Sequence, residues 1–168
     1  MSASRFLLGV VTVLTALLLQ GTVLARLPLP GTAPDLLVVV VVAFALAEGP
    51  LSGVVTGFTA GLLADLLSAH QLGRLALAYT VVGYLAGMLQ DDTERSAVLP
   101  FVAVGLGALG SLLLFAFEGL LLADPRVTLG ATLRAAVSAV PYAVVLTPFV
   151  VPGIGALARR LDLDPVRR

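Results

Sequence analysis

The chain has 168 residues, of which 59% are hydrophobic and 12% are charged, and its ten basic and ten acidic residues give no formal net charge. Because soluble domains carry about 25% charged residues, this composition indicates a membrane protein and leaves no room for a soluble catalytic module. The sequence has no cysteine, which excludes disulfides and thiolate chemistry, and its basic residues are too dispersed to form a nucleic-acid surface.

The first predicted membrane span covers residues 6–25, a mostly apolar run long enough to cross the roughly 30 Å hydrocarbon core. A cleaved signal peptide is the alternative, since Val23 and Ala25 would suit a cleavage site, but signal cores are usually about 7–15 residues long. The proline-rich segment 26–34 cannot continue a helix and predicts a turn of the chain.

Residues 35–47 and 51–67 are apolar runs separated by Glu48-Gly49-Pro50, and each is short for a membrane crossing. They predict two tilted spans joined by a tight turn. The alternative is a re-entrant hairpin buried within protein, which lipid tolerates only where the backbone polar groups find partners. The sequence leaves both readings open.

Three further spans are predicted at 75–90, 97–123 and 133–158, and the prolines of the last one predict kinks or a break. The chain is therefore predicted to be all-α, a single polytopic membrane domain over 1–168 with about six transmembrane helices. An even number of crossings places both termini on one side. Arginines near the termini indicate that this side is cytoplasmic, namely Arg5, Arg159, Arg160, Arg167 and Arg168.

Glycines recur every four residues in the third span, and the series ends in an acid. Such positions form one stripe on a helix, where the missing side chains let another helix backbone approach closely. The fourth span repeats the small-residue spacing, so the two spans are predicted to cross within the monomer, although either face could instead meet a partner protein. The predicted packing positions are Gly53, Gly57, Gly61, Asp65, Gly83 and Gly87.

Four charged residues are predicted to share one depth at the outer membrane boundary, namely Asp65, Arg74, Glu118 and Arg134. A lone charge at the centre of the bilayer costs at least about 2.5–3.5 kcal/mol, so pairing within the bundle is expected. The cluster is either a structural ion-pair group or a docking or ligand site at the outer face.

Catalytic and metal sites are not predicted. The sequence has one histidine, His70, in a predicted loop, and no second histidine or cysteine to share a metal ion. Membrane-span hydroxyls such as Ser52, Thr56, Thr59 and Ser111 have no base beside them in the sequence, and with a single histidine a nucleophilic triad is not indicated. We therefore expect no cofactor and no enzymatic activity.

Several short segments resemble the MreD family of rod shape-determining proteins. The resemblance covers roughly residues 5–90, whereas the later spans match mainly in hydrophobicity and length. The segments are Pro34-Asp35-Leu36-Leu37, Glu48-Gly49-Pro50-Leu51-Ser52-Gly53, Gly57-Phe58, Gly61-Leu62-Leu63-Ala64-Asp65-Leu66, Leu72-Gly73 and Gly83-Tyr84-Leu85-Ala86-Gly87.

The resemblance implies a multi-pass protein of the bacterial inner membrane without catalytic residues, which acts in cell elongation and peptidoglycan synthesis. Its implied partners are an MreC-like membrane protein and, indirectly, an MreB-like filament and the RodA and penicillin-binding synthases. The first hypothesis is accordingly a membrane adaptor. MreD-like chains also resemble substrate-binding subunits of energy-coupling-factor transporters, so a small-molecule-binding membrane subunit is the alternative.

Overall fold

A computed structural model describes residues 3–28, 30–68, 71–93 and 95–162, and within these ranges it contains helices and no strand. The predicted all-α class, a helical membrane bundle, is thereby confirmed. A 3₁₀ turn at Leu24–Arg26 follows the first helix. The α-helices are α1 (Ala3–Thr22), α2 (Leu36–Glu48), α3 (Pro50–Leu66), α4 (Arg74–Gly87), α5 (Gln90–Thr93), α6 (Leu99–Leu121) and α7 (Leu129–Asp162).

Helix α2 forms the centre of the bundle. Every residue from Leu36 to Leu46 is buried, because α1, α3, α4, α6 and α7 surround it. A helix that is apolar on all sides has no face suited to water and is stabilised by burial on all sides. The valine-rich run that looked short for an independent crossing therefore forms the core.

The chain reverses between α2 and α3 at Gly49. This residue has a φ of 90°, a conformation that glycine adopts without the Cβ clash of other residues, and its N–H donates to Ala45 O. Pro50 then occupies the first turn of α3, where its missing N–H leaves no helical bond unmade. Helix α3 runs back along α2 and pairs most extensively with α4.

Three helices are long and apolar enough to cross a membrane, namely Leu7–Arg26, Leu99–Leu121 and Leu129–Arg159. Helices α2 and α3 are shorter apolar helices. The count of six crossings stays a prediction, as does the orientation. The end of the bundle at which α3 ends and α4 begins is here termed the outer end, in keeping with that orientation.

The connection between α4 and α6 contains a one-turn helix, α5. Helix α7 continues through Pro141, Pro148 and Pro152 without the break that these prolines allowed. His70, Glu94 and the terminal residues 163–168 lie outside the described residues.

Candidate functional site

The glycine stripe of α3 lies against the backbone of α4. A Cβ atom added at Gly53 would overlap the carbonyl oxygen of Gly83, and one added at Gly57 would overlap that of Tyr79. At Gly61 the added atom would overlap the backbone of Leu75 and Ala76. On three successive turns of α3, the helix backbone therefore lies directly against the backbone of α4.

The small residues of α4 complete this interface from the other side. A Cβ atom on Gly83 would overlap the Gly53 carbonyl, and one on Gly87 would overlap the backbone of Pro50. The glycine faces of α3 and α4 thus pack against each other within the chain. On the sides of α3 and α4 that point away from this interface, Phe58 and Tyr84 are exposed. A partner that contacts this region would contact these sides.

Asp65, which ends the stripe, forms the N-terminal cap of α4. Its side chain is 1% exposed. Its Oδ2 accepts hydrogen bonds from the amides of Gly73 at 2.8 Å and Ala76 at 3.2 Å, and Oδ1 accepts one from Leu75 at 3.1 Å. The first amides of a helix have no partner inside the helix and attract a negative charge. The carboxylate therefore ties the end of α3 to the start of α4.

Arg74, the first residue of α4, connects this helix to α6 and to the segment after it. Its side chain is 3% exposed, and its guanidinium donates 2.8 Å hydrogen bonds to Asp124 Oδ2 and to the carbonyl of Phe115. The guanidinium carbon also lies 3.9 Å from the centroid of the Phe115 ring, a cation–π geometry. The missing side chain of Gly119 leaves room for this guanidinium.

Glu118 belongs to the same group, whereas Arg134 does not. Arg74 and Asp65 both act electrostatically on Glu118, whose Oε1 is buried without a hydrogen-bond partner. Arg134 is exposed on α7, and its Nε donates to Gly130 O of its own helix at 3.2 Å. The structure thus brings together Asp65, Arg74 and Glu118 and replaces Arg134 with Asp124.

Asp124 lies outside the predicted spans and is ionised readily. The backbone amide of Arg126 donates to its Oδ1 at 3.1 Å, and this bond, together with the hydrogen bond from Arg74, lowers the pKa of the Asp124 carboxyl. Arg74 and Asp124 thus form an ion pair within this cluster.

A second polar contact at the outer end was not predicted. The hydroxyl of Tyr79 donates to Asp35 Oδ2 at 2.5 Å, and the amide of Val38 donates to Asp35 Oδ1 at 3.4 Å. Asp35 thereby caps α2 and binds α4 at the same time. Its place directly before an apolar run indicates a cap, but no local pattern indicates a tyrosine 44 residues later.

Two cavities lie between helices of the bundle, one at each end. The outer cavity, of about 180 Å³, lies between α4, α6 and α7, and Asp35, Tyr79, Ser111, Leu112 and Phe115 contribute to its wall. The inner cavity, of about 400 Å³, lies at the opposite end between α2, α5 and α7. Gln90, Thr93 and Arg159 are its polar wall residues. Within the described ranges, no group of three or more metal-binding side chains is assembled.

Comparison with known proteins gives one match. The family described as rod shape-determining protein MreD matches residues 2–136, a region that extends from α1 into the outer part of α7. The match therefore includes the glycine interface, the Asp65 cap and the Arg74 cluster. Neither the search of curated proteins nor that of solved structures found a match.

Proposed function

Because the chain belongs to the MreD family of rod shape-determining membrane proteins, we propose that it is a non-catalytic adaptor of the bacterial cell-elongation machinery. In this role it binds an MreC-like membrane protein in the inner membrane, with both of its own termini in the cytoplasm. Through that partner it supports an MreB-like filament and the RodA and penicillin-binding synthases of peptidoglycan. The family match is the observation that carries the proposal.

The chemistry of the outer end supports a binding role over a catalytic one. Asp65 and Arg74, the buried charged residues of the described chain, connect helices through hydrogen bonds. A catalytic acid or base needs a position within reach of a substrate, and both of these groups are turned into the bundle. They give a rigid outer end, which suits a docking surface.

Exposed charge at this end provides a means of recognising the partner. Arg134 is exposed and, in the described part of the chain, forms no ion pair. We place it at the edge of the surface that receives the segment of the partner where that chain leaves the membrane. A charge at the rim of an interface contributes mainly to orientation and association rate.

The test is co-purification of the MreC-like protein encoded in the same genome. Arg134→Glu is expected to lower the yield of the complex about fivefold, which corresponds to about 1 kcal/mol. The matched control is Arg95→Glu, since Arg95 is 79% exposed at the opposite end of the bundle. Equal yields from the two variants would place the partner elsewhere, and failure of the unmodified chain to retain this partner would overturn the adaptor function.

The alternative function, a small-molecule-binding membrane subunit, is favoured by the outer cavity. The two functions require different partners. An adaptor co-purifies with an MreC-like protein, whereas a transporter subunit co-purifies with a membrane-associated ATPase. The same affinity purification therefore distinguishes them.

A further inference from the structure

The outer cavity combines an apolar wall with a single carboxylate. Leu75, Ala108, Leu112 and Phe115 are among its apolar wall residues, and Asp35 provides the carboxylate. Its volume of about 180 Å³ accommodates roughly six non-hydrogen atoms, at the ~30 Å³ that a water molecule occupies in the liquid. The cavity is thus of a size for a small ligand or the end of a larger one.

The carboxylate of Asp35 has neutral donors but no described cation as its partner. Tyr79 and Val38 each donate one hydrogen bond to it, and the amide of Leu37 and the side chain of Gln20 also donate to it. Asp124, at the same end of the bundle, forms an ion pair with Arg74 at 2.8 Å. A carboxylate against an apolar wall is stabilised further when a cation balances its charge.

We propose that the outer cavity binds a primary ammonium group carried on a short apolar chain. The ammonium lies against Asp35 on the cavity side and supplies the positive charge that the neutral donors lack. The carbon chain packs against Leu112 and Phe115. This site is independent of the adaptor role, because it requires neither the partner protein nor the exposed charge of Arg134.

The proline-rich segment contributes to the wall of this cavity beside α7. The amide of Thr32, which contributes to the wall, donates a 3.1 Å hydrogen bond to Ser138 Oγ of α7. The hydroxyls of Thr32 and Ser138 also lie 2.8 Å apart, and Tyr142 donates to Pro30 O at 3.1 Å. The outer half of α7 is thus attached to the proline-rich segment by polar contacts rather than by interlocked backbone.

The absence of cysteine from the sequence permits a direct test with a single introduced thiol. Ser111→Cys is a nearly isosteric change on the cavity wall, at a residue that is 5% exposed. The thiol at position 111 is reacted with an ammonium-bearing and with a sulfonate-bearing thiosulfonate. Each rate is divided by the rate of the same reagent with the Leu72→Cys variant. Leu72 lies in the loop between α3 and α4 and is 63% exposed.

We expect the ammonium reagent to be favoured over the sulfonate by at least about tenfold at position 111 after normalisation, because opposite charges attract strongly in a medium of low dielectric. Pentylammonium should protect the thiol, while pentanol and pentanoate of the same chain length should not. Asp35→Asn should abolish both effects. Asparagine is also a good N-cap and keeps an acceptor for Tyr79, so this variant removes charge without removing the cap.

A second variant keeps the carboxylate and fills the space. Leu112→Trp should abolish protection by pentylammonium, and this result would support the cavity as the binding site even if Asp35→Asn did not fold. Equal rates for the two reagents, no reaction with either, or equal protection by pentanol would overturn the proposal.

The ammonium could come from a free amine or from an ethanolamine lipid headgroup. Labelling in liposomes of phosphatidylglycerol, with and without phosphatidylethanolamine, distinguishes the two sources. Slower labelling with the ethanolamine lipid identifies the headgroup, and protection by pentylammonium alone identifies a free amine. Absence of protection from both sources would contradict the site.

Discussion

The pair formed by α3 and α4 and the long helix α7 are held in the bundle by different means. Between α3 and α4, glycines bring two backbones together, and Asp65 joins the end of one helix to the start of the other. Helix α7 packs by side chains, and its glycines at 130 and 153 have open space where a Cβ would be. A small residue therefore indicates close packing only where a second backbone lies against it.

The largest expected effect comes from removing the carboxylate that closes the α3–α4 pair. Asp65→Ala should lower the free energy of unfolding by about 4 kcal/mol, because the amides of Gly73, Leu75 and Ala76 lose their carboxylate acceptor. A hydrogen bond to a charged group contributes about 1.5–3 kcal/mol net, and water that reaches the freed amides offsets part of the sum. Unfolding by detergent titration in mixed micelles measures this change.

Asp65→Asn is the matched control for that change, since it keeps the size of the side chain and one acceptor oxygen. It should recover about half of the loss. If the alanine variant were as stable as the unmodified protein, the Asp65 cap would not hold α3 and α4 together. The difference between the α3–α4 pair and α7 would then depend on the glycines alone.

The glycine interface itself is tested by adding one methyl group. Gly57→Ala should lower the free energy of unfolding by about 2 kcal/mol, because the new Cβ overlaps the Tyr79 carbonyl and the two backbones must separate. The same detergent titration reports the change.

Gly153→Ala is the corresponding substitution on α7, where nothing lies within 4 Å of the added atom. It should leave stability unchanged or raise it slightly, since alanine favours helix more than glycine does. If both alanine variants unfolded alike, the distinction between backbone packing in α3–α4 and side-chain packing in α7 would fail.

This contrast also shows what the sequence could predict. The four-residue spacing of Gly53, Gly57 and Gly61 predicted a packing face, because the spacing fixes which residues share one side of a helix. Which helix covers that face is a property of the whole bundle. The sequence suggested that the fourth span covers this face but left another protein as the alternative, and in the structure α4 lies against it.

For the charged residues, the sequence predicts a depth along each span but not the direction in which a side chain points. Counting residues along each span placed Asp65, Arg74, Glu118 and Arg134 at one level, since each residue of a helix rises about 1.5 Å. The rotation of α7 about its own axis depends on its neighbours and leaves Arg134 exposed. Asp124 was missed as the partner of Arg74 because these residues are 50 positions apart.

The smallest expected effect concerns the ion pair that links α4 to the segment before α7. Hydrogen bonds from Arg126 and Arg74 lower the pKa of Asp124 in the folded protein. The ionised carboxylate therefore stabilises the fold fully above the pKa of an unfolded aspartate, about 3.9, and this contribution is lost as the pH falls through the lower folded value. Asp124→Asn should lower the thermal midpoint at pH 7, with the difference from the unmodified protein narrowing in acid.

Asp92→Asn provides the control for this pH dependence. Asp92 also pairs with an arginine, but at 3.5 Å and with 60% of its side chain exposed, at the opposite end of the bundle. Exposed pairs of this kind contribute little to stability, so the midpoint should follow that of the unmodified protein at every pH. If Asp124→Asn behaved in the same way, the pair of Arg74 and Asp124 would not couple α4 to the α6–α7 connection, and the guanidinium would act there through Phe115 alone.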